Sequence, residues 1–96
     1  MSVCGGNGHS CALLANGTVQ CWGWNYRGQL GDGSQMNRSS PVTVTGLSGV
    51  LELACGGEHN CARLANGVVC WGANYWGELG DNTNQHRSAP VTVQGL

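Results

Sequence analysis

The chain has 96 residues and a net charge of −1, and only 9% of its residues are charged. It contains no lysine, so its positive charge rests on four arginines and offers no basic patch of the kind that binds nucleic-acid phosphates. No apolar run reaches the roughly 18 residues of a membrane-spanning helix, and the first residues show no secretory signal peptide. We therefore expect neither a nucleic acid nor a membrane as the partner.

Short strand patterns predict an all-β fold. Ala15-Asn16-Gly17 separates the first two patterns and is typical of a β-hairpin turn. Glycine interrupts the chain throughout, and no segment has the 3.6-residue apolar period of a helix. In chain order, the strand patterns lie at residues 12–14, 18–22, 41–45, 50–54 and 90–93.

The same pattern occurs twice in the chain. Residues 9–17 return as residues 59–67, residues 21–47 return as residues 70–96, and 27 of 39 aligned positions are identical once the two Cys-Gly-Gly segments are included. We place the first repeat at residues 1–47 and the second at residues 48–96. Four short strands in about 50 residues are typical of a β-propeller blade. The predicted fold is therefore two blades, each a four-stranded antiparallel sheet, of an incomplete propeller.

The cysteines predict disulfide bonds within the hairpins. A three-residue turn places Cys11 opposite Cys21, at a distance that a disulfide bond spans, and we predict that bond. The same turn in the second repeat places Cys61 opposite Trp71. A bond between Cys61 and Cys70, which we also consider, therefore requires a bulge or a different turn.

The number of cysteines also bears on localisation. Six cysteines in 96 residues favour an extracytoplasmic or secreted protein, longer than this chain, in which disulfides persist. Cys4 and Cys55 hold the same position in successive repeats, and we do not expect them to pair.

A zinc site is the alternative use of these cysteines, because each repeat gathers the ligand types that zinc prefers. The candidate sets are Cys4, His9 and Cys11 in the first repeat and Cys55, His59 and Cys61 in the second. Their spacing differs, and neither set has the paired, closely spaced ligands of a zinc finger. We therefore expect the histidines to make structural hydrogen bonds, and we expect no metal or other cofactor.

A glycine-rich loop separates each hairpin from the proline-led strand. Its glycines predict turns rather than a phosphate cradle, because no helix follows them. We interpret Asp32 and Asp81 as Asx-turn residues rather than calcium ligands, and Trp22 and Trp71 as part of the blade core. Four aromatic residues flank the loops, and we predict that they form a protein-contact surface: Trp24, Tyr26, Tyr75 and Trp76.

The repeated motif resembles the regulator of chromosome condensation repeat, G-x-x-H-(S/T)-x-A-L followed by G-x-V-(x)-W-G-x-N-x-x-G-Q-L-G. The second repeat departs from this pattern at Arg63 and Glu78. The Cys-containing hairpin is similar to that of the bacterial, exported branch of the family. The first repeat matches at Gly6, His9, Ala12, Leu13, Gly17, Val19, Trp22, Gly23, Asn25, Gly28, Gln29, Leu30 and Gly31.

The resemblance implies a propeller that usually takes seven such repeats, so we expect further blades or self-association to complete this one. We predict a non-enzymatic protein-interaction module with an unidentified protein partner and no catalytic residues. Two alternatives stay open. One is a metal-binding or hydrolytic module that uses the Cys/His pairs, and the other is guanine-nucleotide exchange, which some members of the family catalyse.

Overall fold

The computed structural model describes residues 2–95 and consists of two four-stranded antiparallel sheets with their strands in chain order. The prediction of an all-β fold with two such sheets is confirmed. The first sheet contains β1 (Ser2–Gly5), β2 (His9–Leu13), β3 (Val19–Gly23) and β4 (Arg38–Thr43), and the second contains β5 (Glu52–Cys55), β6 (His59–Leu64), β7 (Gly67–Gly72) and β8 (Arg87–Thr92).

The strand limits differ from the prediction at the outer strands. Strand β1 lies where the sequence suggested no strand, and β4 and β8 begin before their prolines, at Arg38 and Arg87. Pro41 and Pro90 are tolerated there because each lies in the last strand of its sheet, where a missing N–H need not break a ladder.

The two hairpins have turns of different length. In the first, the backbone N–H of Leu14 donates to the carbonyl oxygen of Thr18 at 2.9 Å, so three residues form the turn, and Gly17 has the positive φ of 83° that the last of them needs. In the second, Leu64 pairs with Gly67, so the turn is one residue shorter. The shorter turn compensates for the deletion in the second repeat and leaves both cysteine pairs in register.

The core lies between the two sheets. Leu30 and Val44 from the first repeat pack with Ala62 and Trp71 from the second, and all four are buried. Gly31 permits this approach, because a Cβ there would lie 2.8 Å from Trp71 Nε1. The sheets therefore meet face to face over a shared apolar layer rather than as separate units.

Arg63, which departs from the repeat pattern, makes an ion pair across two strands. It is the Cα partner of Glu52, and its Nε lies 2.6 Å from Glu52 Oε1. Both side chains are exposed, so the pair contributes at most about 1 kcal/mol. The residues that the structure describes include no helix that is long and apolar enough to cross a membrane.

Candidate protein-interaction site

A buried asparagine organises each glycine-rich loop. The side chain of Asn25 is fully buried, and its Nδ2 donates to the carbonyl oxygens of Ser34 at 3.1 Å and Met36 at 3.0 Å. Its Oδ1 accepts from the backbone N–H of Leu30 at 2.9 Å. Asn74 repeats these bonds in the second loop. The two loops are thus ordered by the same internal hydrogen bonds, which hold the side chains that flank them.

The loop aspartates form the expected Asx turns. Asp81 Oδ1 accepts from the backbone N–H of Thr83 at 3.0 Å and from its hydroxyl at 2.7 Å, and Oδ2 accepts from Arg87 Nε at 2.9 Å. Hydrogen bonds from Thr83, together with that from Arg87, lower the pKa of Asp81 to about 2 although burial opposes this. At Asp32, burial raises the pKa, but hydrogen bonds led by those from Ser34 outweigh it and lower the pKa.

His86 replaces an asparagine of the first repeat. The backbone N–H of Asn25 donates to Asn37 Oδ1 at 2.8 Å, and the backbone N–H of Asn74 donates to His86 Nδ1 at 2.9 Å. His86 and Asn37 differ in side chain, so the sequence alone does not indicate a shared role for this position. In the structure the two residues share one, because the unprotonated ring nitrogen of His86 accepts the bond that an amide oxygen accepts in the first repeat.

The four aromatic residues predicted to form a contact surface are all exposed. Trp24 is 54% exposed, Tyr26 37%, Tyr75 43% and Trp76 90%. The ring centroids of Trp24 and Tyr26 lie 6.1 Å apart with their planes at 68°, which is an edge-to-face arrangement. Large apolar side chains are therefore presented to solvent in both repeats.

Arg27 connects the aromatic residues of the two repeats. Its guanidinium carbon lies 5.2 Å from the ring centroid of Tyr26 and 5.3 Å from that of Tyr75, within the range of cation–π contacts. Its Nε also donates to the Tyr75 hydroxyl. Arg27 was not among the residues predicted for this surface. The repeat alignment nevertheless marks its position, since the aromatic Trp76 holds it in the second repeat. We call Trp24, Tyr26, Arg27, Tyr75 and Trp76 together the aromatic loop surface.

The two core tryptophans differ in burial. Trp71 is fully buried, and its Nε1–H donates to the carbonyl oxygen of Gln29 in the first repeat at 3.0 Å. Trp22 holds the same position in β3 and is only half-buried. The interpretation as blade core therefore describes Trp71 fully and Trp22 only in part.

All six cysteines are joined in disulfide bonds in the structure. Cys11 pairs with Cys21, and Cys61 pairs with Cys70 through the shorter turn. Cys4 and Cys55 are also joined, with their Cα atoms 5.7 Å apart. Our expectation that these two do not pair was wrong, because the packing of β1 against β5 brings equivalent positions of the two repeats together.

The two candidate metal-ligand sets, one within each repeat, do not come together among the residues that the structure describes. The structure instead places His9, Cys11 and Cys55 together, so that the cluster draws on both repeats. His9 Nε2–H donates to Asn60 Oδ1 at 2.7 Å, which agrees with the expected structural hydrogen bond. Burial lowers the pKa of His9 despite this bond. The cysteines of both candidate sets are in disulfide bonds in the structure.

Two sequence profiles of the regulator of chromosome condensation (RCC1) repeat match the chain. One matches residues 16–63, and the other matches residues 2–29 and 50–78. Among curated proteins, Protein pim1 of Schizosaccharomyces pombe is 36% identical over 82 residues, which cover 71% of this chain and 15% of pim1. The ultraviolet-B receptor UVR8 of Arabidopsis thaliana is 37% identical over 62 residues, which cover 62% of this chain and 14% of the receptor.

Solved structures agree with the sequence relatives. Human WBSCR16 superposes with a TM-score of 0.86 at 28% identity, over 98% of this chain and 25% of that protein. Yeast RCC1 (Prp20), solved in complex with Kap60, superposes with a TM-score of 0.82 at 25% identity, over 99% of this chain and 23% of that protein. The chain thus spans about a quarter or less of the length of these proteins.

Proposed function

Because the chain belongs to the RCC1 repeat family, we propose that it is a non-enzymatic protein-interaction module that binds its partner through the aromatic loop surface. The expected resemblance to this family is confirmed by the two matching profiles. The observation that carries the proposal is the exposure of Trp76, at 90%. Trp76 follows Tyr75 in the chain, and Tyr75 is one of the two tyrosines whose rings contact Arg27. Trp, Tyr and Arg are the residues that most often dominate the binding energy of protein interfaces.

The order of the loops supports binding at this surface. The buried Asn25 and Asn74 hold the loop backbones in place, so the aromatic side chains are presented from a fixed scaffold. Little conformational entropy is then lost when a partner binds, because the surface is already ordered, and this favours affinity. Related propellers also bind proteins, since yeast Prp20 was solved with Kap60 and a further structure of Prp20p is described with its binding to Gsp1p and histones.

A display library of random peptides, selected on the purified oxidised chain, tests this proposal. Peptides that bind are then measured by fluorescence anisotropy against variants of the chain. Trp76→Ala and Trp24→Ala are each expected to weaken binding by about tenfold or more, which corresponds to a loss of about 1.4 kcal/mol. Leu51→Ala is the matched control, because Leu51 is 52% exposed and lies outside the aromatic loop surface. A selection that yields no binder, or binders that ignore both tryptophan variants, contradicts the proposal.

The absence of catalysis is tested separately. Incubation with a small GTPase loaded with a fluorescent guanine nucleotide measures exchange directly. We expect the rate of nucleotide release to be unchanged by the chain. An acceleration would support the exchange alternative and contradict the non-enzymatic assignment.

We also propose that further blades, including those of a second copy, pack on the open faces of the two sheets. The contact between the repeats provides the template, since Trp71 donates to the carbonyl oxygen of Gln29. Trp22 and Glu78 hold the equivalent positions on the two outer faces, so a second copy can repeat the same contact head to tail. Such a contact is heterologous and forms a ring when the rotation closes.

We also propose that the chain divides into two repeats, at residues 1–47 and 48–96. We further propose a secreted or extracytoplasmic location. Three disulfide bonds are typical of proteins folded in an oxidising compartment. The proposed partners are proteins: one binds the aromatic loop surface, and the others are further propeller blades that pack on the open faces of the sheets.

A further inference from the structure

Arg27 differs from the other arginines in having no carboxylate partner among residues 2–95. The other three each have a carboxylate oxygen within 3.3 Å of Nε, in the pairs Arg38–Asp32, Arg63–Glu52 and Arg87–Asp81. Arg27 lies in the aromatic loop surface and is half-buried. A cation that is partly removed from water is stabilised by a neighbouring negative charge, because burial weakens its hydration. A binding partner can supply that negative charge.

The side chain of Arg27 is held in one place. Its guanidinium carbon lies 5.2 Å from the ring centroid of Tyr26 and 5.3 Å from that of Tyr75, and its Nε donates to the Tyr75 hydroxyl. The backbone N–H of Arg27 donates to Oε1 of the fully buried Gln29 at 2.8 Å. Little side-chain freedom is therefore lost when a partner binds the guanidinium.

The two Nη nitrogens of Arg27 are left for a partner. Its Nε is taken by the Tyr75 hydroxyl, and no hydrogen bond joins Nη1 or Nη2 to any residue in the range 2–95. A carboxylate accepts two parallel hydrogen bonds from such a pair of nitrogens. A phosphate group is usually bound by a cluster of arginines, whereas Arg27 is the one basic residue of the aromatic loop surface. The single guanidinium therefore suits a carboxylate.

The acidic residue of the second loop shows on which side that carboxylate belongs. Glu78 Oε1 accepts from the backbone N–H of Trp76 at 2.7 Å, which repeats the bond from Arg27 to Gln29 in the first loop. Glu78 thus places a negative charge beside Trp76. Because like charges repel, the acidic residue of a partner fits the Trp24 side of the surface better than the Trp76 side.

Trp24 provides an apolar contact at a short distance from Arg27. The ring centroid of Trp24 lies 6.1 Å from that of Tyr26, and the Tyr26 centroid lies 5.2 Å from the guanidinium carbon. The indole and the guanidinium are thus at most about 11 Å apart, a distance that about three residues of extended chain span. A peptide can therefore place an apolar side chain on Trp24 and a carboxylate on Arg27.

We propose that the protein partner presents an aspartate or glutamate to Arg27, with an apolar residue within about three positions of it that packs on Trp24. This inference rests on the proposed binding at the aromatic loop surface, and it names the class of partner as an acidic, apolar peptide segment. The pair is half-buried and bidentate, so it gives specificity for an acidic partner.

Two display libraries of random peptides test the inference. They are identical except that a fixed central residue is glutamate in one and glutamine in the other, and both are selected on the oxidised chain. We expect the glutamate library to yield most of the binders, with aromatic residues or leucine enriched within about three positions of the glutamate. In a selected peptide, replacing the glutamate with glutamine should weaken binding by about tenfold or more, measured by fluorescence anisotropy.

Variants of the chain show whether Arg27 is the residue that reads the charge. Arg27→Gln should remove the difference in affinity between the glutamate and glutamine peptides, and Arg27→Lys should keep only part of it, because lysine has the charge without the planar fork. Arg63→Gln is the matched control, since Arg63 is exposed and already paired with Glu52, and the difference should remain. The substitution in the peptide leaves the fold of the chain untouched.

The outcomes separate this inference from the proposed function. Equal numbers of binders from both libraries, with affinity that still falls in Trp24→Ala or Trp76→Ala, overturn the inference and leave the proposed function standing. A preference for glutamate that survives Arg27→Gln also overturns it, as does a phosphoserine peptide that binds more tightly than the glutamate peptide. The absence of binders from both libraries overturns the inference and the proposed function together.

Discussion

Replacing Asn60 with serine tests how strongly a single buried amide joins the two repeats. Asn60 is fully buried and makes one hydrogen bond to His9 and one to the carbonyl oxygen of Gln29, both in the other repeat. The first repeat carries Ser10 at the equivalent position, so serine fits the strand. A serine side chain is too short to replace both bonds.

The magnitude follows from the two bonds. The carbonyl oxygen of Gln29 still accepts a hydrogen bond from Trp71. Losing the bond from Asn60 to the same oxygen therefore costs about 1 kcal/mol, the net value of an ordinary hydrogen bond. His9 Nε2–H becomes a buried donor without a partner, which costs about 1–3 kcal/mol. We expect a total of about 2–4 kcal/mol, which is a large part of the roughly 5–15 kcal/mol of a domain of this size.

Urea unfolding of the oxidised protein, followed by far-UV circular dichroism at one protein concentration, measures this loss. Asn60→Ser should shift the transition midpoint without changing the slope, which means a change in stability alone. Ser10→Ala is the control, because Ser10 is half-buried and should change the free energy of unfolding by no more than about 0.5 kcal/mol. An Asn60→Ser loss below about 1 kcal/mol, or one equal to the control, would refute the reasoning.

Three further predictions concern the disulfides, pH and assembly. A non-reduced proteolytic digest should contain the peptides of Cys4 and Cys55 linked together, and their recovery as free thiols would contradict the structure. Because the pKa of Asp81 falls from about 3.9 in an unfolded chain to about 2 when folded, its contribution to stability is present above about pH 4 and lost toward pH 2. Between about pH 4 and about pH 2 the free energy of unfolding should therefore fall less steeply for Asp81→Asn than for wild type. Identical curves of unfolding free energy against pH would contradict this prediction. Light scattering after size exclusion should show trimers, tetramers or larger species that Trp22→Ala disrupts; a monodisperse 10.0 kDa wild-type particle would argue against assembly.

The first hairpin was predictable because it depends on local sequence, whereas β1 carries no strand pattern of its own. A turn of known length fixes every pairing along two antiparallel strands, so Cys11 opposite Cys21 followed from Ala15-Asn16-Gly17 alone. The second repeat is one residue shorter between its cysteines, so the same turn did not predict that Cys61 lies opposite Cys70. The sequence could not decide between a bulge and a shorter turn, since both restore the register.

Contacts between the repeats were not predictable, because they depend on how the sheets pack rather than on spacing in the chain. The Cys4–Cys55 bond, the His9–Asn60 hydrogen bond and the place of Arg27 between two tyrosines all join residues about 50 positions apart. Comparison of the repeats shows where such residues differ, as Arg27 does from Trp76. It does not show which differing residues touch.

The Cys4–Cys55 bond has a consequence for longer arrays of these repeats. It joins one position of a repeat to the same position of the next, and a sulfur atom forms only one such bond. In a third repeat, the equivalent cysteine could not pair with that of the second repeat, because the second is already bonded to the first. It would need the equivalent cysteine of a fourth repeat. This covalent link therefore groups blades in twos, and an array with an odd number of them leaves one thiol over.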